Sequence, residues 1–170
     1  GLAVGQHGLL GKQNLYEHSI RVPMIMVGPG IPKNTKTNNF TYLSDIAPTI
    51  YDYLHLAKPS TVEAKSLMPV IVNPSTKIRN QIYNVYGNWS RSIKTDNGFK
   101  LILYNVDGKL HTQLFNLNVD PWETNDLSKE KSNQGKITLM RSILKAEMKL
   151  THDNLDIDLP NWGRIIKAKK

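Results

Sequence analysis

"QIYNVYGNWSRSIKTDNGFKLILYNVDGKLHTQLFNL", residues 81–117, decides the fold of this chain. Four runs within it, Gln81–Tyr86, Trp89–Thr95, Phe99–Asn105 and Thr112–Leu117, are rich in aromatic and branched side chains and separated by turn signals, so each reads as a strand. Asn97-Gly98 and Asp107-Gly108 supply the positive-φ residues that tight hairpins need. An antiparallel four-stranded meander follows. Phe99, Leu101 and Leu103 alternate with Lys100, Ile102 and Tyr104, so one face is apolar throughout and the other mixed.

The chain on either side completes the frame. Ile137, Met140, Leu144 and Met148 recur three or four apart between polar and basic positions, which predicts a helix over Lys136–Leu150 covering one face of the sheet. The closing residues 165–170, IIKAKK, read as a disordered basic tail. Upstream, residues 59–80 carry Pro59, Pro69 and Pro74 with one apolar piece, Leu67–Val72, and read as a linker over the surface. Ser44 or Asp45 caps a helix whose Ile46, Ile50 and Leu54 share a face, with Pro48 in the first turn, where proline is tolerated. Met24–Val27, ending at Gly28-Pro29-Gly30, has the pattern of a short strand buried on both faces. Residues 1–22 show no sustained periodicity and read as an ordered loop. The expected organisation is a first part over 1–58, the linker 59–80 and a sheet-plus-helix part over 81–170.

Composition narrows the function classes. A chain of 170 residues has length enough to bury a core,. Without cysteine it forms no disulfide, thiolate metal site or cysteine nucleophile,. Lys+Arg 22 against Asp+Glu 14 gives a formal charge of +8, which favours anionic partners,. The basic residues are spread along the chain and no nucleic-acid recognition motif occurs, so nucleic acid is not expected as a partner. Apolar runs fall far short of the ~20 residues that cross a bilayer, and no membrane partner is expected.

Candidate chemistry gathers near the start. Gly8 and Gly11 flank a turn that carries Lys12 close behind His7. Backbone free of side chains lets an anion approach, and an ammonium supplies charge. The plainer reading is two tight turns with Lys12 in water. Spacing excludes a P-loop, because Gly8-Leu9-Leu10-Gly11-Lys12 has too few residues between its glycines and is followed by Gln13. The histidines at 7, 18, 55, 111 and 152 form no i,i+4 pair, so no metal site is assigned to this segment. Asp120, Glu123 and Asp126 admit a calcium-loop reading. The favoured one is a helix start, with Asp120 as N-cap, Pro121 first in the helix and Glu123 closing a capping box.

The order Gly-Gln-His-Gly-Leu-Leu-Gly-Lys-Gln-Asn-Leu-Tyr-Glu, then Ile20-Arg21-Val22-Pro23, then Gly28-Pro29-Gly30, resembles the later half of the formylglycine-dependent sulfatases. "LSDIAPTIYDYLHL" resembles that family's Asp-x-x-Pro-Thr helix, "KSLMPVI" its Ser-Leu-x-Pro segment, and "FKLILY" through "QLFNLNVDPWETNDL" its terminal sheet and Asp-Pro-x-Glu-x-x-Asn-Leu turn. The resemblance covers almost the whole chain. It implies an α/β architecture: the tail of an alkaline-phosphatase-like α/β domain, then an α+β part in which a four-stranded antiparallel sheet packs with a C-terminal helix. In the family a Cys/Ser-x-Pro-x-Arg residue becomes formylglycine, whose hydrate attacks sulfur while calcium and basic residues hold the sulfate oxygens. Such charge neutralisation is what transfer of an anionic ester group requires. Lys12 matches the family's sulfate-binding lysine, and His7 lies in its Gly-x-His-Gly element as a candidate substrate contact.

Two family elements do not occur here. The chain holds no Cys/Ser-x-Pro-x-Arg, and the metal-binding Asp-Asn or Asp-His pair stands in the family just before the position of Gly1. The expectation is therefore a C-terminal sulfatase part without catalytic or metal-ligating residues of its own, inactive alone. Calcium and formylglycine would belong to the intact parent and its N-terminal catalytic domain. The parent would be periplasmic or secreted and act on a sulfated small molecule or glycan. Two alternatives stay open: a non-catalytic polyanion- or carbohydrate-binding module using Tyr83, Tyr86 and Trp89, and a phosphoester or phosphonate hydrolase of the same superfamily.

Overall fold

The computed structural model describes residues 1–160, 162 and 163. The chain forms two compact units. One joins residues 1–23 with the chain from Tyr83 onward, and the other is Met24–Ile82.

The larger unit is built on the meander. Strands β3 (Gln81–Tyr86), β4 (Ser90–Thr95), β5 (Phe99–Val106) and β6 (Lys109–Asn116) lie in that order in one antiparallel sheet; a separate short hairpin pairs β1 (Ala3–Val4) with β2 (Leu10–Gly11). Asp107 and Gly108 both take positive φ in the β5–β6 turn, as a tight hairpin demands,. Register then fixes the faces, with Leu101 opposite Ile93 on one side and Leu114 on the other. A helix over Gln134–Leu150 covers one face, as its spacing predicts, and buries Ile137, Met140, Leu144 and Met148 against Ile93, Leu101, Leu103 and Leu114. Ile157 and Trp162 close that core from the chain after the helix.

The mixed face is covered as well. Ile102 and Phe115 pack on Leu15, with Tyr16, Ile20 and Tyr104 around them. Residues 15–20, which include the single helical turn α1 (Glu17–Ile20), therefore roof the second side of the sheet. Lys100, which alternation puts on this face between Phe99 and Leu101, is fully buried beneath them.

In the smaller unit the helix α2 (Ile46–Tyr53) follows a short turn over Leu43–Asp45. Asp45 is wholly buried and organises this unit. Its carboxylate accepts the N–H of Tyr42 at 2.8 Å, that of Lys65 at 3.1 Å and two guanidinium N–H groups of Arg79 at 2.5 and 3.0 Å. Thr49 donates to the Asp45 carbonyl and accepts the N–H of Leu67, the first residue of the apolar piece at 67–72. That piece forms a further helix, α3 (Met68–Val72), with Leu67 and Val70 buried; the long helix Gln134–Leu150 is accordingly α4.

Several sequence expectations change. Met24–Val27 is extended but belongs to no sheet, and Ile25 and Val27 are about nine-tenths exposed. A strand exists only by pairing, and among the described residues none runs beside it. Ile46, Ile50 and Leu54 do share a face of α2, yet the buried side of that helix is Pro48 and Thr49. No helix starts at Asp120. Its carboxylate instead accepts the N–H groups of Thr124 and Asn125 and the Thr124 hydroxyl, closing a turn, and Glu123 adopts φ +58, which a right-handed helix cannot contain,. The 165–170 tail lies outside the described residues.

Candidate functional site

His7 stands at the tip of the β1–β2 hairpin. The loop closes through the Gly5 N–H on the Leu9 carbonyl and the Gly8 N–H on the Gly5 carbonyl, and His7 itself takes φ +53. That strained backbone persists because the side chain is held twice over. Its ring stacks on Tyr16 with centroids 4.0 Å apart and planes within 4°, and its Nε2 lies 3.1 Å from the Trp122 carbonyl. A carbonyl only accepts, so Nε2 carries the proton and Nδ1 is the atom left for another partner. Tyr16 is fixed in turn by its hydroxyl on the Gln113 side chain.

Beneath these rings lies a four-membered ion cluster. Glu17 receives Lys94 at 2.8 Å and Lys100 at 3.0 Å, Lys100 also meets Glu123 at 2.7 Å, and Glu123 accepts the Glu17 N–H at 2.6 Å. Two ammonium groups thus balance two carboxylates. Burial pushes the Glu17 carboxyl up, but Lys100 and Lys94 outweigh it and hold the group below its ordinary 4.5,. For Glu123 burial prevails over Lys100, and its carboxyl is raised,. The cluster ties α1, the sheet and the Asp120–Asn125 turn together.

A cleft of about 630 Å³ opens above this cluster. His7, His18, Arg21 and Trp122 line it, with Glu17 and Glu123 at its base. The His18 Nε2 is buried and has no hydrogen-bond partner among the described residues. Burial, then the neighbouring His7 and Lys100, hold this imidazole below its ordinary 6.5, so it is neutral at pH 7,. In acid the unfolded chain takes up the His18 proton first, so stability falls as pH drops below 6.5 toward the folded value. Glu17, depressed in the same sense, adds a loss at lower pH, while Glu123 works in the opposite direction. Urea midpoints should therefore decline from about pH 7.5 to about pH 5.5, and His18→Gln should flatten that decline; equal slopes in both proteins would contradict this account.

Lys12 follows β2 directly and is exposed. Among the described residues its ammonium meets no ion-pair partner, and it is not one of the residues lining the cleft. Tyr83 is in the core with its hydroxyl on Asp153, and Trp89 meets Tyr86 edge-on, so these aromatics do not form one open binding face. Sequence reasoning did not single out Lys94, Lys100, Glu17, Arg21 or Trp122. The one available signal was a lysine at 100 within the largely apolar and aromatic run Phe99–Tyr104.

The acidic groups in and next to the cleft do not suit a calcium ion. Glu17 and Glu123 are neutralised by lysines, Asp120 is occupied by turn N–H groups, and the described residues contain no group of three or more metal-ligating side chains,. Nor do they include a cysteine from which formylglycine could form.

Residues 5–150 match the family described as N-sulphoglucosamine sulphohydrolase, C-terminal, and the chain belongs to that family. It is similar to mouse (Mus musculus) arylsulfatase K, 29% identical over 136 residues that make up 74% of this chain and 25% of the relative. The chain thus spans about a quarter of the length of that relative. A solved 2-O GAG sulfatase shares the fold at a TM-score of 0.68 and 20% identity, over 91% of this chain and 37% of its own. A second solved protein, complexed with its substrate D-glucosamine-2-N,6-O-disulfate, is 25% identical with a TM-score of 0.57, over 65% of this chain and 24% of its own. This is a sulfatase C-terminal domain.

Proposed function

We propose that the chain is the C-terminal part of a sulfatase acting on sulfate esters of a sulfated glycan, and that it contributes Lys12 and His7 to the sulfate-binding side of the site. The observation that carries this reading is the doubly held His7, its Nε2 committed to the Trp122 carbonyl and its ring stacked on Tyr16, beside a cleft whose carboxylates are already neutralised. A sulfate ester brings negative charge, and such a cleft offers an anion no repulsion. Lys12 lies outside the cleft lining and has no ion-pair partner among the described residues, which leaves its ammonium available to a sulfate oxygen as a point charge,. The disulfated glucosamine bound by one solved relative supports the glycan as substrate class.

In this reading the nucleophile and the calcium ion come from chain preceding Gly1. The Gly1 backbone lies against the His18 carbonyl, which leaves no room there for a Cβ, and its nitrogen donates to the Ser19 carbonyl at 2.8 Å. Residues before it would emerge beside a lining residue of the cleft. Calcium, when bound there, supplies Lewis acidity to the sulfate group. This chain's part is to bind and orient: Lys12 draws the sulfate by charge, and His7 presents Nδ1 at a fixed angle.

The test is to read the coding DNA upstream of Gly1 and assay the extended protein on matched sulfate and phosphate esters. An in-frame Cys/Ser-x-Pro-x-Arg and sulfatase activity are expected, with Lys12→Ala lowering kcat/KM by about 10²–10³ and the 170-residue chain inactive alone. Preference for phosphate, or full activity in Lys12→Ala, would overturn the reading.

A further inference from the structure

Trp122 is the feature that the site so far leaves unused. Its backbone is held on several sides. The Asp120 carboxylate takes the N–H groups on the far side of it, Glu123 next to it is 2% exposed and bound to Lys100, and its own carbonyl meets His7. Yet its indole is 74% exposed on the cleft wall. Within this domain the ring contributes little of the burial energy that a large flat apolar side chain can supply, so it is available to a partner outside the domain's own core,.

The charge around that ring is one-sided. Both carboxylates at the base of the cleft are spent on lysines, whereas Arg21 lines the cleft with no ion-pair partner among the described residues. The cleft is also larger than one sulfate group needs.

Resting on the sulfatase reading above, we infer that Trp122 and Arg21 form a sugar subsite beside His7, in which the indole packs on the apolar face of a pyranose and Arg21 pairs with an anionic substituent of that sugar. The ligand class is an anionic pyranose carrying more than one charged group. An aryl sulfate would offer a ring but no second anion for Arg21.

Titration of the 15N-labelled chain with a heparin-derived sulfated disaccharide tests this, with the desulfated disaccharide, an aryl sulfate and inorganic sulfate as comparisons. Trp122→Phe identifies the indole resonance, and circular dichroism confirms that each variant folds. The sulfated disaccharide should shift the Trp122 indole signal. Trp122→Ala should weaken that binding about tenfold while Trp122→Phe retains most of it, and Arg21→Gln should reduce preference for the sulfated over the desulfated sugar. Unchanged disaccharide affinity in Trp122→Ala, equal binding of the aryl sulfate, or no disaccharide binding by the unaltered chain would each overturn the subsite. The two readings separate through Lys12→Ala in the extended protein: full sulfatase activity there, with Trp122-dependent sugar binding intact, removes the sulfate role of Lys12 and leaves the subsite standing.

Discussion

Lys100→Ala should destabilise the larger unit by about 3–5 kcal/mol, because it leaves the Glu17 and Glu123 carboxylates buried with no charge partner between them. The Lys100 side chain is fully buried, Glu123 is nearly so, and only Lys94 remains to serve Glu17. A loss of that size is a large part of what holds a domain together. The measurement is a urea melt followed by Trp162, which is buried in this unit's core. The midpoint should fall with the slope unchanged, since the surface exposed on unfolding is the same. The triple variant Lys100→Met, Glu17→Gln, Glu123→Gln should recover much of the loss, because it removes the charges together. If the single variant melts where the parent does, the cluster is not a structural centre.

Asp45→Ala should do comparable damage in the smaller unit. Arg79 is 9% exposed in its side chain and pairs with this carboxylate through two N–H groups, while the Tyr42 and Lys65 amides depend on the same two oxygens. Alanine strands a buried guanidinium and two backbone donors, a loss of about 3–5 kcal/mol. Arg79 keeps the Phe40 carbonyl and its position 4.8 Å over the Tyr42 ring. Few apolar side chains are buried in this unit, chiefly Leu67 and Val70, so little else offsets the change. Hydrogen exchange at the Leu67 and Val70 amides should accelerate by several orders of magnitude. Asp45→Asn, which preserves shape and one acceptor oxygen, should cost about 1–3 kcal/mol. Protection that survives in the alanine variant would show that the unit is held by something other than this hub.

The parts of the fold that repeat locally were the parts legible in the chain. Period-two alternation and two glycine turns define the four strands, and i,i+3/i+4 spacing defines α4, because each depends only on neighbours in sequence,. Met24–Val27 carries the pattern of a strand, but pattern cannot supply the pairing partner that makes one. The ion cluster was hidden for a different reason. Lys100 reaches Glu17 across 83 positions and Glu17 reaches Glu123 across 106, so no window of sequence contains both ends. A lysine at 100 reads as solvent-facing until the roof over it is known, and Asp120 with Glu123 reads as a helix start until Lys100 claims the glutamate. His7 was noticed through a motif, whereas its contact with the Trp122 carbonyl, 115 positions away, is a property of the fold.

That separation also orders events as the protein is made. The His7 loop is translated before its partners: the carbonyl that receives its imidazole and the glutamate that receives the Glu17 amide follow more than a hundred residues later. Contacts between such distant segments form late and slowly, since the intervening chain must first be gathered in. A nascent chain released before Trp122 therefore has the hairpin but no fixed imidazole. The contacts that fix His7 are completed only when translation has passed the Asp120–Asn125 turn, so premature termination yields a protein with the motif and without the held imidazole.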